Sequence, residues 1–120
     1  MRIHLYAVLG IGSLILSGCS QGQSSQDLIE DLSSTNQDDR IKAVRLLQQH
    51  KGDATQVVPA LIKSLKDQQS DIRWSAAIGL GYYGAEAKSA VHALEAAQHD
   101  TDGRVREAAS VALSRIVRSK

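Results

Sequence analysis

Apolar residues recur along this chain every 33 residues, and polar segments separate the apolar stretches at the same interval. Leucine, alanine, arginine and aspartate positions all keep this step. The equivalent sets are Leu28, Leu61 and Leu94; Leu47, Leu80 and Leu113; Ala43, Ala76 and Ala109; Arg40, Arg73 and Arg106; and Asp67 and Asp100. Self-similarity at one fixed period is typical of stacked supersecondary units. The pattern therefore predicts a repeat protein.

Within each repeat, the apolar positions follow the 3.6-residue period of an α-helix. One helix type carries an apolar stripe such as that of Val58–Leu65, and the other type carries Ala76 and Leu80 one turn apart. Polar and glycine-containing segments mark the expected helix ends. The spacing predicts six helices, near residues 26–33, 37–50, 55–66, 71–83, 86–98 and 104–118. We therefore expect an all-α fold, a short α-solenoid of stacked antiparallel helix pairs.

Individual residues refine the helix ends. Ser70 or Asp71, and Asp102, are expected N-caps because their side-chain oxygens accept hydrogen bonds from first-turn N–H groups. Gly84 is expected to end a helix. Pro59 is expected in the early turns of its helix, where its missing N–H matters least.

Composition excludes some classes of function. Of the 120 residues, 42% are hydrophobic but only 3% are aromatic, and none is phenylalanine. The core must therefore be built from aliphatic side chains on closely approaching helices. Fourteen Lys and Arg residues stand against 13 Asp and Glu residues, and this balance gives no general attraction to nucleic acid.

The N-terminal segment, residues 1–18, has the features of an export signal in the usual order. Basic Arg2 precedes the apolar run Ile3–Leu16, and Leu16-Ser17-Gly18-Cys19 follows. The run is shorter than the ~20 residues that span a bilayer as a helix. Leu-Ser-Gly-Cys resembles the lipobox of bacterial lipoproteins, which implies cleavage by signal peptidase II and lipidation of Cys19. An ordinary secretory signal that ends by chance in a cysteine is the alternative.

The segment after this signal agrees with an anchor. Cys19 is the only cysteine, so the chain has no second thiol for an internal disulfide. Residues 19–26 are mostly small and polar, which is typical of a flexible tether, and residues 27–120 form the predicted repeat domain. The lipobox resemblance implies an acylated, palmitate-type anchor in the cell envelope. For a Gram-negative host, Ser20 favours the periplasmic face of the outer membrane.

At the repeated positions the chain resembles the HEAT-repeat family, in the short form also found in phycobilisome-lyase-like proteins. The family pattern Val-Arg-x-x-Ala-Ala-x-x-Leu-Gly matches residues 105–113 and 72–81, and matches residues 39–47 more loosely. The step of 33 residues is shorter than the usual HEAT period of about 40–47 and equals that of ankyrin repeats. However, the ankyrin element Thr-Pro-Leu-His is absent. The resemblance therefore implies a HEAT-like solenoid over essentially all of the mature chain.

Other motifs give little support for catalysis. Gly79–Gly84 fits Gly-x-Gly-x-x-Gly, but a dinucleotide site needs a strand before the motif, and the preceding segment has a helical pattern. His92 and His99 lie about 10 Å apart on one helix, too far to share a metal ion. No Ser/His/Asp set or carboxylate pair marks a pocket. We therefore expect no enzyme activity, cofactor, metal or small-molecule substrate.

The periodic arginines have a structural interpretation. In related repeats this arginine bridges an acidic residue of a neighbouring unit, so the resemblance implies a ladder from Arg40, Arg73 and Arg106 to Asp67 and Asp100. Recurrence from repeat to repeat suits such a stacking role. A ligand-binding stripe of arginines is the alternative.

A candidate binding surface lies on the central repeat. Trp74, Ile78 and Tyr82 follow each other at i, i+4 and i+8, opposite the stripe of Ala76 and Leu80. Such an aromatic and aliphatic row suits a protein contact surface. The alternative is that Trp74 folds over a neighbouring helix and belongs to the core.

These observations predict a non-catalytic adaptor or scaffold, anchored by lipid in the cell envelope, that binds another envelope protein. The domain is acidic near its start and basic near its end, a polarity that either steers an acidic partner or reflects ordinary solvated helix ends. Two other functions stay open. One is an accessory subunit of an enzyme, as the lyase-like resemblance implies, and the other is a purely structural stand-off module.

Overall fold

The computed structural model describes residues 22–49 and 53–119, and within these ranges the chain is helical with no strand. The signal segment 1–18 and Cys19 lie outside the described residues. Six α-helices and one 3-10 helix are present in the described ranges. They are α1 (Ser25–Asp31), α2 (Gln37–Leu47), α3 (Ala54–Ser64), α4 (Ser70–Tyr83), the 3-10 helix (Gly84–Ala90), α5 (Val91–Ala97) and α6 (Gly103–Arg118). The all-α prediction is confirmed.

The core consists of the positions that repeat along the sequence. The three alanines of the first helix type are at most 1% exposed, and so are the leucines that share the position of Leu61. Leu47 and Leu80 are fully buried, whereas their equivalent Leu113 is half-buried on the last helix. The 33-residue pattern therefore identified the packed face of every described repeat.

Successive helices of the same type lie side by side and form the solenoid. The first-type helices α2, α4 and α6 pack in that order, while α3 contacts α4 and α5 contacts α6. The resulting body is elongated and flat, with extents of 47 × 30 × 18 Å. Because α4 is central, it contacts both α2 and α6, the other two helices of its type.

The first helix begins earlier than predicted. It starts at Ser25, one residue before the predicted start, so Ser25, which was assigned to the tether, is helical. The reason is a capping box at Ser24, whose hydroxyl accepts a hydrogen bond from the Asp27 amide at 3.2 Å. The Asp27 carboxylate in turn accepts one from the Ser24 amide at 3.1 Å. Two first-turn donors are thereby satisfied, which favours helix from this residue on.

Of the predicted N-caps, one is confirmed by the structure and one is wrong. Asp102 caps α6, and its carboxylate accepts a hydrogen bond from the Arg104 amide at 2.8 Å. At α4 the prediction of Ser70 or Asp71 was wrong, because the N-cap is Gln69 and its side chain makes no capping bond. The Asp67 carboxylate, two residues earlier, instead accepts a hydrogen bond from the Gln69 amide at 2.9 Å.

The predicted helix over residues 86–98 is divided. Gly84 adopts φ 55°, a conformation that favours glycine, and ends α4. A 3-10 helix follows, in which Ala87 leaves helical geometry (φ −101°, ψ 20°), and α5 begins only at Val91. Ala87 and Ala90 are completely buried, in a segment that packs against α3 and α6. Close tertiary packing of these small side chains overrides the helical periodicity here.

Pro59 lies in the second turn of α3. Its ring removes the N–H that would bond to the carbonyl of Thr55. Both residues are exposed, so water can hydrogen-bond to that carbonyl. The helix therefore continues to Ser64 despite the proline.

Leu80→Ala is expected to lower the free energy of unfolding by about 2–5 kcal/mol, because the Leu80 side chain is fully buried and its truncation leaves a cavity. Val117→Ala on α6 is the control, since Val117 is 70% exposed and its truncation should change stability by less than about 0.5 kcal/mol. Urea unfolding followed by circular dichroism measures both. Equal effects of the two substitutions would contradict the packing described.

Candidate functional site

The row of Trp74, Ile78 and Tyr82 forms one wall of a groove between α4 and α6. Trp74 and Ile78 are half-buried and pack against the core, whereas Tyr82 is 47% exposed. The groove has a volume of about 410 Å³. Trp74 therefore contributes to the core and to an open surface at the same time, so the two interpretations of this residue are not exclusive.

The opposite wall of the groove is the equivalent row of the next repeat. Glu107, Val111 and Arg115 on α6 stand 33 residues after the three α4 side chains and line the groove with them. Val111 is 47% exposed and presents an apolar surface to the groove. Four small buried residues line the base, namely Ala77, Gly81, Ala108 and Ala112. The groove is thus apolar at its base and centre, with charges at its rim.

Gly81 lets α4 and α6 approach closely at the base of this groove. One repeat earlier the equivalent residue is Gln48, whose side-chain amide donates to the Ser75 carbonyl at 3.0 Å and so lies between α2 and α4. Gly81 has no side chain to occupy the same place between α4 and α6. A Cβ atom there would approach the Ala112 Cα to 3.2 Å, so a larger residue would also push the helices apart.

Two arginines of α6 stack on the aromatic rings of the groove. The Arg104 guanidinium lies 5.8 Å from the centre of the Trp74 ring, and that of Arg115 lies 5.6 Å from the Tyr82 ring. Both distances are within the range of a cation–π interaction. Arg104 and Arg115 thereby hold the aromatic side chains in place at the two ends of the groove.

The arginines of the repeat pattern form bidentate ion pairs with aspartates of the next unit. Arg40 Nε and Nη2 bind the Asp67 carboxylate at 2.9 and 3.3 Å. Arg73 binds Asp100 in the same way at 2.8 and 3.0 Å. The side chains of both pairs are only 11–15% exposed, so they are screened less than surface pairs. This geometry links α2 to the start of α4 and α4 to the start of α6.

Each repeated arginine also donates from Nη1 to a main-chain carbonyl six residues earlier. The bonds run from Arg40, Arg73 and Arg106 to the carbonyls of Ser34, Asp67 and Asp100 at 3.0, 2.8 and 2.8 Å. Arg106 nevertheless differs from the other two. It is exposed, and within residues 22–49 and 53–119 no carboxylate lies in ion-pair range of its guanidinium. Two of the three sequence-predicted arginines are thus brought to an aspartate, and the third is not.

Hydrogen bonds from arginine and burial also shift the pKa values of three side chains. The hydrogen bond from Arg73 lowers the pKa of Asp100 below its ordinary value, and this effect outweighs the opposing effect of burial. Asp102 has a strongly lowered pKa because both the side chain and the backbone of Arg104 donate to it. Burial raises the pKa of Tyr83. The charged forms of Asp100 and Asp102 are therefore the native ones at neutral pH.

Other sequence candidates lie away from a site. His92 is almost fully exposed beside Glu95, at 3.1 Å, and His99 is exposed at the end of α5. Among the residues described, no three His, Cys, Asp or Glu side chains cluster at metal-binding distance. Gly79 and Gly81 are buried inside α4, where they serve helix packing. Cys19, the predicted lipid attachment site, lies outside the described residues.

A membrane-spanning helix is not found in the structure's described ranges, where every helix is too short or too polar. In the same ranges, antiparallel helix pairs stack through a repeated aliphatic face and a ladder of ion pairs. This arrangement defines an α-solenoid of the short-repeat class.

Comparison with known families agrees with this class. The sequence profile of the family described as HEAT repeats matches residues 25–114, which is three quarters of the chain. The protein belongs to the HEAT-repeat family. HEAT repeats generally serve as scaffolds for protein–protein interaction. A search among curated proteins finds no match to this chain.

Asp100→Asn is expected to reduce the free energy of unfolding by about 1–3 kcal/mol at neutral pH, because it removes a shielded, charge-assisted hydrogen-bond pair. Since the native pKa of Asp100 is lowered, the ion pair stabilises above the unfolded-state pKa of about 4 and is lost as the pH falls through the native pKa. The difference between wild type and variant should therefore shrink below about pH 4. Urea unfolding at several pH values measures this.

Asp71→Asn is the matched control for that experiment. Asp71 pairs with Arg104 at 2.9 Å, but the two side chains are 50% and 54% exposed. A pair so exposed contributes about 0–1 kcal/mol. A loss of the same size in both variants, or a difference for Asp100→Asn that does not change with pH, would contradict the structural role of the ladder.

Proposed function

We propose that this protein is a non-catalytic adaptor of the bacterial cell envelope, which is held at a membrane by lipid on Cys19 and binds another envelope protein through the α4–α6 groove. The groove is the observation that carries the second half of this proposal. It combines an aromatic anchor, an exposed aliphatic residue and a rim of charges, the composition typical of a protein-binding hot spot. The general role of HEAT repeats supports the same conclusion.

The location part of the proposal depends on the sequence. The order of basic residue, apolar run and Leu-Ser-Gly-Cys supports export followed by acylation of Cys19. Several acyl chains on one residue give stable attachment, because each buried methylene contributes about 0.8 kcal/mol and a single chain is marginal. In a Gram-negative host, Ser20 directs the protein to the periplasmic face of the outer membrane.

The effects of changes in the groove distinguish an adaptor from the two alternative functions. An accessory subunit of an enzyme would bind that enzyme constantly and alter its turnover. A stand-off module would tolerate any change on its surface, including changes in the groove. An adaptor loses its partner when the groove is altered, while its fold and its anchor stay intact.

Cys19→Ala is expected to abolish the incorporation of labelled palmitate and to release the protein from the membrane fraction, because the thiol that carries the lipid is gone. Gln21→Ala, in the same polar segment, is the control and should be labelled like wild type. The proposed anchor would be excluded by a wild-type protein that takes up no palmitate, or by a Cys19→Ala variant that fractionates unchanged.

A photoreactive amino acid at position 111 is expected to crosslink one partner in living cells, because Val111 lines the groove. The same amino acid at position 117 is the matched control, since Val117 is an exposed valine of the same helix that does not line it. Equal crosslinking from both positions, or none from position 111, would contradict a partner in the groove.

Trp74→Ala is expected to weaken binding of that partner by about thirtyfold, the loss typical of a buried aromatic anchor at an interface. Because Trp74 also touches the core, Val111→Asp provides a second test that places a charge in the groove without removing a core contact. Circular dichroism verifies that both variants fold. Folded variants that retain wild-type affinity would exclude the groove.

A further inference from the structure

The two ends of the α4–α6 groove differ in how their arginines are neutralised. At the Trp74 end, Arg104 Nη2 lies 2.9 Å from carboxylate oxygens of both Asp71 and Asp102. These two partners hold the Arg104 guanidinium in its charged form and raise its pKa. Glu107, which is exposed, adds a third carboxylate at this end. The cation of Arg104 is therefore more than balanced by the protein itself.

At the Tyr82 end the situation is reversed. Arg115 stacks on the Tyr82 ring, and none of the ion pairs formed within the described residues involves it. Its guanidinium also makes no side-chain hydrogen bond to a carboxylate in that part of the chain. Arg118 follows one turn later and is likewise exposed. This end of the groove thus carries positive charge that no carboxylate of the described residues pairs with.

The Tyr82 ring holds Arg115 where a ligand in the groove would meet it. A guanidinium that is stacked on an aromatic face has lost part of its side-chain freedom before binding, so less entropy is lost when it forms a bidentate pair. Arg40 and Arg73 bind carboxylates bidentately elsewhere in this molecule. Arg115 offers the same planar set of donors at the edge of an apolar groove.

We propose that the groove receives an amphipathic segment of the partner protein, in which an aliphatic side chain covers Gly81 and Ala112 and a carboxylate beyond it pairs with Arg115. This inference rests on the proposed function and specifies the chemistry of the partner. The eight helical steps from Trp74 to Tyr82 give the groove a length of about 12 Å, which matches two turns of a docked helix. The acidic Trp74 end repels a carboxylate, so the charge difference also fixes the direction of the segment.

An anionic lipid surface is a different class of ligand, and the groove favours it less. A membrane surface attracts a spread of basic residues. The Trp74 end of this groove instead carries Asp71, Asp102 and Glu107 around one arginine. A concave apolar base also suits an inserted side chain better than a flat bilayer surface. Vesicles therefore serve as the competing outcome in the test.

The test is a selection of random peptides of about 12 residues, displayed on phage, against the immobilised full-length chain in detergent. Peptides that bind wild type but not the Trp74→Ala variant define the groove ligands. We expect these to carry an aliphatic residue with Asp or Glu about one turn away. Synthetic versions should bind Arg115→Gln at least about tenfold more weakly than wild type, and this binding should depend less on salt, because the charge pair is lost. Glutamine retains part of the aliphatic chain of arginine, so the variant mainly removes the charge.

Charge reversal makes the prediction directional. The Arg115→Glu variant should select peptides with Lys or Arg in place of the acidic residue, whereas Arg118→Glu, which changes the overall charge equally, should still select acidic ones. Groove ligands without an acidic preference, or equal effects of both reversals, would overturn this inference and leave the groove as a binding site. Peptides insensitive to Trp74→Ala would overturn the proposed function as well. Arg115-dependent binding to phosphatidylglycerol vesicles without groove peptides would also contradict the inference.

Discussion

The structure depends on close packing between equivalent faces of parallel helices. With no phenylalanine in the chain, the core has few bulky side chains, so Ala43, Ala76 and Ala109 must let neighbouring helices approach closely. The leucines one turn away then fill the remaining space. Because every repeat buries the same face, each helix packs on the next in the same way. Ion pairs from Arg40 and Arg73 fix the register between units at their ends.

The candidate site arises where this regularity is broken. Gln48 lies between α2 and α4, whereas its equivalent Gly81 lets α4 and α6 approach closely at the base of the groove. The same repeat supplies the aromatic row of Trp74 and Tyr82. A regular solenoid thus provides the scaffold, and a local departure from its repeat provides the proposed binding surface. Such a division is expected for repeat proteins, whose stacking residues must recur while their binding residues need not.

Most of the fold was predictable from the sequence because stacking imposes a period. The leucine and alanine positions gave all six helices, and Asp102 was recognised as a cap from its residue type and place. The 3-10 helix was not predicted, since Ala87 and Ala90 have ordinary helical propensity and only packing against α3 and α6 decides their conformation. The N-cap Gln69 of α4 was not predicted for a similar reason. The hydrogen bond at this position is accepted by the side chain of Asp67, which lies outside the helix.

The candidate site was predictable only in part. Trp74, Ile78 and Tyr82 were found from their helical spacing, but the stacked arginines and the groove itself depend on how far apart α4 and α6 lie. The change from Gln48 to Gly81 at the 33-residue step was the signal in the sequence that the helices meet differently at the groove.

The fluorescence of Trp74 provides the most direct measurement of the central claim, because it is the only tryptophan in the chain and it lies in the groove. Titration with the purified partner identified by crosslinking should shift its emission to shorter wavelength and protect it from acrylamide, since the bound segment excludes water from the half-buried ring. A partner that binds the protein in sedimentation while leaving this emission and its quenching unchanged would contradict the account.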